Sequence, residues 1–332
     1  MIRLLSVELT RLRWRRAVLM LIALAVVVPA VMFAATAWNT RPVSDQELEQ
    51  ARSQLDNRYS QRDLRQCARE PQNYGLDLDA GEAGVAEACE QQILSWYVSR
   101  TPLDLAGESK EGTLLGVAAV VCLLMLLAGT TFVGHDWNSG SMSNQLLFES
   151  RRLRVWAAKA IAVSLVALLL GAVVMTLYWM GLRGLAGSRD LPIPVGVTRD
   201  GLQVCARVTA LAAGSALGGF ALTMLLRSTV ATLGVLFAVS IAGGTIIGII
   251  GSDGSARWQP QYNLAAVVAG DVTYYDQSSV PTECLTGQRV PVDVDCDGEQ
   301  TISAAQGATY SGVVLALVCG ASVASYRRRD VP

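Results

Sequence analysis

Residues that could do chemistry are concentrated between positions 132 and 159 of this chain. A carboxylate, Asp136, precedes a Gly-Ser turn at Gly140 and Ser141, and a short run with helical character follows. The segment closes with the cations Arg151, Arg152, Arg154 and Lys159. Long apolar runs flank this segment, which is itself too polar to lie in lipid, and its cations predict a cytoplasmic location. Charges around a short helix at a membrane boundary indicate a surface on which a partner acts.

Other chemistries find little support in the residue types. His135 is the only histidine, so neither a histidine-rich metal site nor a conventional serine–histidine relay is supported. The phosphate-cradling pattern G-x-x-x-x-G-K-[ST] does not occur, and no basic face interleaved with aromatics points to nucleic acid. We therefore expect a chain that is no enzyme by itself, that binds no cofactor and that has no nucleic-acid partner.

An acidic stretch near the C-terminus resembles the start of a calcium-binding loop through Asp293, Asp295 and Asp297. A full loop of that kind has a glutamate at its twelfth position, where this chain has Ala304. The helices that flank such loops are also missing from the pattern. We interpret the stretch as a solvated acidic turn and keep metal binding as the alternative.

The elements that position the central segment are long apolar runs. Hydrophobic residues make up 52% of the chain and charged residues 17%, which is more apolar than a typical soluble domain. A membrane core of about 30 Å needs about 20 apolar residues in a helix, far longer than the strands of a barrel. The runs of this length are 17–37, 114–134, 155–182, 204–226, 230–250 and 307–326. They predict an all-α polytopic membrane protein with six transmembrane helices.

Arginine and lysine near the ends of the spans predict the orientation. The clusters are Arg3, Arg11, Arg13, Arg15 and Arg16 at the N-terminus, Arg151, Arg152 and Arg154 of the segment 135–154 together with Lys159, Arg227 after the fourth span, and Arg327, Arg328 and Arg329 in the tail 327–332. With six spans, all of these fall on one side, so both termini are predicted to be cytoplasmic. The segments 38–113, 183–203 and 251–306 then lie outside, although the second of them also carries arginines.

The first 16 residues are predicted to form an interfacial helix, because Ile2, Leu5, Leu9 and Leu12 recur at helical spacing among charged residues. One alternative is that they are only the positive flank of the first span. Another is a signal peptide cleaved after Ala37, but the apolar run exceeds the usual length of about 7–15 residues.

The segment 38–113 is predicted to be a helical outer domain. Ser44 and Glu47 form a capping box that opens a polar helix over 46–69. Such a helix needs support. A disulfide between Cys67 and Cys89 could supply it, and the run 85–98 could pack back on it after a turn at 75–84.

Cysteines are concentrated in the two long outer segments, where an oxidising compartment permits disulfides. The outer cysteines are Cys67, Cys89, Cys284 and Cys296. Four cysteines allow three connectivities, and the sequence leaves them open; we favour pairs between sequence neighbours. In the second outer segment, 258–275 is predicted to contain a short helix that begins near Pro260.

Within the spans, the apolar centres argue against a carrier driven by protons or sodium ions, which usually has buried ionisable residues there. Gly214-x-x-x-Gly218 and Gly244-x-x-x-Gly248 permit close approach of helices. Ordinary packing within the chain is the alternative interpretation of these glycines.

The central segment resembles a block found in permease subunits of the ABC transporter type 2 family. That block reads G-x-E-x-x-x-G-T, followed by a leucine-containing helix, a P-x-R element and a lysine that opens the third span. The matching residues are Gly134, Asp136, Gly140, Ser141, Leu146, Leu147, Arg152 and Lys159. Asp replaces Glu, Ser replaces Thr, and Glu149-Ser150 stands where proline is usual. The N-terminal helix and the short helix near Pro260 are also similar to family elements, whereas the insertion 40–113 is not covered.

The resemblance implies a permease that pairs with a second copy, identical or different, and with a separate ATPase subunit that carries ATP and magnesium. The helix from Ser141 to Phe148 would then be the coupling helix. Asp136 would stabilise this connection by capping the helix or by pairing with Arg151 or Arg152. The alternative is that the segment is only a basic membrane anchor.

We therefore expect the permease of an exporter for an amphiphilic or hydrophobic substrate, such as a lipid, a drug or a peptide, in contact with lipids of a bacterial cell membrane. A membrane-anchored sensor or assembly factor with an outer partner-binding domain is the alternative. A secondary carrier is a third class, disfavoured by the apolar spans.

Overall fold

The computed structural model of this chain describes residues 1–76, 84–98, 100, 102–110, 112–250, 255–276, 279–280, 284 and 296–328. The chain is mostly helical and divides into two compact units. The first, which we call the helical body, comprises Met1–Phe33, Leu105–Gly184 and Ile193–Pro332. The second, which we call the helical insert, comprises Ala34–Asp104 and Leu185–Pro192.

The helices follow from long apolar runs and from local caps. In chain order they are α1 (Ile2–Trp14), α2 (Arg16–Asn39), α3 (Asp45–Leu55), α4 (Arg58–Arg69), α5 (Val85–Tyr97), α6 (Leu105–Lys110), α7 (Thr113–Asn138), α8 (Ser141–Phe148), α9 (Arg152–Ser188), α10 (Val197–Leu226), α11 (Thr229–Ile250), α12 (Pro260–Ala269) and α13 (Ala304–Arg328). Two strands, β1 (Asp271–Tyr275) and β2 (Glu299–Ser303), lie between α12 and α13.

Among the described residues, five helices are long and apolar enough to cross a membrane. They are Arg16–Asn39, the stretch Leu105–Asn138 that contains α6 and α7, Arg152–Ser188, Val197–Leu226 and Ala304–Arg328. These helices indicate a multi-pass membrane protein. The predicted span 230–250 falls in α11, where the part described with its side chains gives a shorter apolar helix, Thr229–Gly243. The sixth span and the orientation remain predictions.

Glycines hold α7 and α10 in close contact. A methyl group on Gly129 would overlap the carbonyl oxygen of Ala216, and one on Gly219 would overlap the carbonyl oxygen of Leu126. Gly214 and Gly218, singled out by their spacing, have more room, because a methyl group on either would lie 3.6 Å from the side chain of Leu315 in α13. These two glycines therefore pack against a helix of the same chain. The surroundings of Gly244 and Gly248 lie outside the described residues.

A two-stranded antiparallel sheet corrects the all-α prediction. β1 pairs with β2 in a register that places Asp271 opposite Ser303 and Tyr275 opposite Glu299. Helix α12 begins at Pro260, as expected, but ends at Ala269, because Gly270 turns the backbone with φ 108°. The β-branched and aromatic residues that follow favour a strand. The partner of this strand is distant in sequence, so local pattern did not reveal it.

The helical insert is built from α3, α4 and α5 around one disulfide. Leu55, Cys67, Val85, Cys89 and Ile93 form its buried core. The predicted packing of 85–98 onto the first helices is thus confirmed for its apolar face. The Cα atoms of Cys67 and Cys89 are 5.8 Å apart, as are those of Cys284 and Cys296, and both pairs lie at disulfide distance.

The polar helix predicted over 46–69 is in fact two helices. The predicted capping box is present, with the Ser44 backbone N–H donating to Glu47 at 3.1 Å. This hydrogen bond, with smaller effects of the Ser44 hydroxyl and of Arg100, holds the pKa of the Glu47 carboxyl below its ordinary value. Asn57 then accepts hydrogen bonds from the N–H groups of Tyr59 and Ser60 and begins α4. An asparagine in this role starts a new helix and so breaks the run.

Replacing Gly219 by alanine is expected to lower the melting temperature of the purified protein. The added methyl group would meet backbone of α7, which does not move easily, and overpacking of this kind costs about 1–3 kcal/mol. Gly214→Ala is the matched control, because its methyl group would make an ordinary contact and alanine favours helix. Thermal unfolding in detergent measures both. Equal melting temperatures would contradict the close contact.

The outer cysteines are expected to resist alkylation until they are reduced, and peptide mapping should recover the linked pairs Cys67–Cys89 and Cys284–Cys296. Replacing Cys67 and Cys89 together by serine is expected to destabilise the insert by about 3 kcal/mol, because the disulfide closes a loop of roughly 20 residues in the unfolded chain. Cys319→Ser, which removes a free thiol, is the control. Rapid labelling of the unreduced protein would contradict the pairs.

Candidate functional site

The central segment folds into the predicted short helix. Helix α7 ends at Asn138, and the Ser139 backbone N–H donates to the carbonyl oxygen of His135 at 3.0 Å. Gly140 then adopts a left-handed conformation, φ 67°, which glycine tolerates without a steric penalty. This turn places α8 directly after α7, so that Asp136 and α8 lie next to each other.

Asp136 is fully buried and accepts hydrogen bonds from three elements of the helical body. Lys159 in α9 donates to one of its carboxylate oxygens at 2.6 Å. Ser141, the first residue of α8, donates to the other oxygen at 2.6 Å. Arg15, between α1 and α2, donates to this second oxygen and also to the carbonyl oxygen of Phe132. Asp136 is therefore a junction of separate helices.

The prediction that Asp136 pairs with Arg151 or Arg152 is wrong. Arg152 donates instead to the carbonyl oxygen of Tyr326 in α13 at 3.2 Å, and Arg151 is exposed. Asp136 does not cap α8 either, since Gly140 is its N-cap and no side-chain hydrogen bond serves there. The nearest cations in sequence lie beyond α8, whereas Arg15 and Lys159 enter the same buried space from other helices.

Glu8 in α1 completes the arrangement from the opposite side of Lys159. Its carboxylate is fully buried and accepts from the Lys159 ammonium at 2.8 Å. Gln145 in α8 donates to its other oxygen at 2.5 Å. Arg11, one turn later in α1, lies 3.6 Å from Glu8 and donates to the side-chain amide oxygen of Gln145 at 3.3 Å. We call Glu8, Arg15, Asp136, Gln145 and Lys159 the buried charge network.

The network holds two carboxylates, one ammonium and one guanidinium, and Arg11 adds a second guanidinium 3.6 Å from Glu8. Burial of an unpaired charge in a low dielectric is costly, so each member is tolerated only because the others are present. The network joins α1, α7, α8 and α9 at one end of the helical body. Lys159, predicted as the lysine that opens the third span, is fully buried.

Helix α8 presents two different faces. Met142 and Gln145, three residues apart, are buried and fix the helix to the body. Leu146 is half-buried, whereas Leu147 and Phe148 are 82% and 93% exposed. The predicted leucine pair is thus only partly presented to solvent. Phe148, which sequence reasoning left out, is the most exposed apolar side chain of the helix.

Glu8, Arg15 and Gln145 were also missed as site residues. A signal for two of them was present, because Glu8 and Arg15 are seven residues apart, a spacing that would place both on one face of a continuous helix. The same spacing suits a solvated helix face, however, so it did not distinguish a buried ion from an exposed one. Nothing in the sequence indicated which carboxylate each cation meets.

Metal binding by the acidic stretch stays an alternative prediction. Asp293 and Asp295 lie outside the described residues, and Asp297 is the only one of the three carboxylates within them. Across the described ranges, no group of three or more histidine, cysteine, aspartate or glutamate side chains is arranged to hold a metal ion.

A separate groove of about 800 Å³ lies among α12, the two strands and α13. Its lining combines aromatic, aliphatic and amide side chains. Trp258, Asn263, Tyr274, Gln306, Tyr310 and Val313 are among the lining residues. This composition suits a ligand with both apolar and polar parts.

No protein-family model matches the chain, and comparisons with curated proteins and with solved structures give no match either. The resemblance to ABC transporter permeases therefore rests on the residues of the central segment and on the similar short helices.

Replacing Lys159 by methionine is expected to destabilise the protein by about 3–5 kcal/mol, since Glu8 and Asp136 would remain buried without their shared cation. Lys110→Met is the matched control, because Lys110, the only other lysine, is exposed. Its effect should stay within about 0.5 kcal/mol. Both are measured by thermal unfolding.

Adding Glu8→Gln to Lys159→Met removes one of the two buried carboxylates that lose Lys159 and should recover part of the lost stability. Equal melting temperatures of Lys159→Met and Lys110→Met would contradict the network. A double variant that melts no higher than Lys159→Met would also contradict it.

Proposed function

We propose that this chain is the membrane-spanning permease subunit of an ATP-binding cassette exporter and is driven by a separate ATPase subunit. One observation carries the proposal. Helix α8 is fixed through one face to a buried charge network and exposes Leu147 and Phe148 at its end. A helix built in this way can receive a force without detaching from the body.

The exposed end of α8 supplies the contact surface. Complete burial of a leucine or phenylalanine side chain stabilises a complex by about 1.5–3 kcal/mol. Two neighbouring side chains of this kind favour insertion into an apolar groove on a soluble partner. The resemblance implies that this partner is the ATPase, which holds ATP and magnesium.

The buried charge network would transmit the force from α8 to the neighbouring helices. α7 and α9 flank α8 in sequence, and the 2.6 Å contact between Asp136 and Lys159 ties the two helices together. Gln145 joins α8 to Glu8 of α1 at 2.5 Å. A displacement of α8 would therefore move α1, α7 and α9 together, as rigid-body coupling requires a contiguous packed element.

The remaining parts of the proposal follow from the resemblance and from composition. A second permease copy, identical or different, would complete the transporter in the cell membrane, with both termini cytoplasmic. The cargo would be amphiphilic, because the groove beside Tyr274, Gln306 and Tyr310 offers apolar and polar contacts together.

A sensor or assembly factor is the second candidate. It is favoured by the helical insert, which has its own disulfide and its own buried core around Ile93. A module of this kind could bind a partner without any ATPase. The two candidates differ in whether α8 has a partner.

Isolation of the full-length chain from its native membranes in mild detergent distinguishes them. We expect a soluble ATPase in stoichiometric amount, with hydrolysis of ATP that responds to amphiphiles. The double variant Leu147→Ser, Phe148→Ser should weaken this association by about ten-fold or more, because it removes the apolar contact.

Val195→Ser is the matched control, since Val195 is a fully exposed apolar residue far from α8 in sequence. It should leave the association unchanged. A chain that is recovered without an ATPase, or only with partners of the insert, would contradict the exporter and favour the sensor.

A further inference from the structure

The corner between α10 and α11 is packed tightly against the end of α7. Arg227 ends α10 in a left-handed conformation, φ 57°, and its backbone N–H donates to the carbonyl oxygen of Thr223 at 2.8 Å. Thr229 opens α11 so close to Gly134 of α7 that a methyl group there would overlap the threonine hydroxyl. The corner therefore has one defined position beside the last turn of α7.

Arginine is an unusual residue for this corner. A left-handed residue at a helix end is most often glycine, because a side chain makes this conformation costly. The retained strain indicates that the arginine side chain has a use. Its guanidinium carbon lies over the ring of Trp137, 4.9 Å from the centroid.

Two buried hydrogen-bond donors at this corner have no partner. Across the part of the chain that the structure describes, no group accepts from Arg227 Nη2 or from Trp137 Nε1. Buried donors of this kind normally have an acceptor. The adjacent carboxylate, Asp136, already accepts from Arg15, Lys159 and Ser141. The corner thus has two donors without an acceptor and one positive charge. A ligand that accepts hydrogen bonds and carries a negative charge, an anion, would satisfy the donors and the charge.

An exposed apolar stripe begins at the same corner. Val230, Leu233, Phe237 and Ile241 follow one another at helical spacing along α11 and are 81%, 38%, 68% and 59% exposed. The stripe is about 16 Å long at 1.5 Å per residue. This is close to half of a hydrocarbon core of about 30 Å. A ligand with an anionic head and a long apolar tail matches both features.

We propose that Arg227 and Trp137 bind the phosphate of an anionic phospholipid whose acyl chain lies along the stripe on α11. The guanidinium and the indole N–H donate to phosphate oxygens, and such charge-assisted hydrogen bonds are strong. A zwitterionic lipid is disfavoured, because its ammonium group would approach the Arg227 charge. Basic pockets between membrane helices are a known setting for anionic headgroups. The proposal depends on membrane placement alone and holds for a transporter or a sensor.

The test is native mass spectrometry of the delipidated full-length chain in detergent, titrated with phosphatidylglycerol or with phosphatidylcholine. We expect phosphatidylglycerol to bind at least about ten-fold more tightly, and Arg227→Gly to abolish this preference. Arg227→Gly also relieves the left-handed strain, so it should fold at least as well as the parent. Trp137→Phe, which keeps a ring and removes the donor, should weaken the binding.

Arg13→Gln is the matched control, because it removes an exposed arginine elsewhere. It should leave the preference intact. Competition with inorganic phosphate distinguishes a site for a lipid headgroup from a site for a free anion. Displacement of the lipid by equimolar phosphate would show a free-anion site and overturn the role of the stripe. Equal binding of the two lipids, or an unchanged preference in Arg227→Gly, would overturn the site.

Discussion

The ammonium group of Lys159 lies between two buried carboxylates, 2.8 Å from Glu8 and 2.6 Å from Asp136. In a low dielectric, each of these ions would be very costly alone, and together they are tolerated only at short distances. This requirement determines how closely α1, α7 and α9 approach one another. The position of α8 follows from it, since Gln145 and Ser141 bind the same two carboxylates.

A helix of eight residues is too short to be stable by itself. α8 exists because its buried face is held by the network and by Met142, and the constraint leaves its end free to present Leu147 and Phe148. A rigid attachment on one side and apolar exposure on the other are the two properties that a force-receiving element needs. In the proposed transporter, stability and coupling would therefore depend on the same ions.

The end of the helical body around Asp136 and Trp137 combines several unusual features within one turn of α7. Asp136 accepts from three donors, whereas the indole of Trp137 has no acceptor among the described residues. Close packing of Thr229 on Gly134 brings Arg227 to the same place. Adjacent residues thus differ: the Asp136 carboxylate has its donors within the protein, and the Trp137 indole N–H is buried without an acceptor among the described residues.

The sequence by itself determined what depends on neighbours along the chain. It predicted the five long apolar helices, the capping box at Ser44 and the helix after Gly140, because helical periodicity and short loops are local properties. It favoured pairs of neighbouring cysteines but left the connectivity open. Only the tertiary structure decided that Asp136 meets Arg15 and Lys159, that Glu8 is buried, and that the segments at 271–275 and 299–303 form a sheet. Those contacts join residues far apart in sequence. Which of these contacts form depends on which buried charges and open strand edges come together when the helices pack. No single run of residues encodes these encounters.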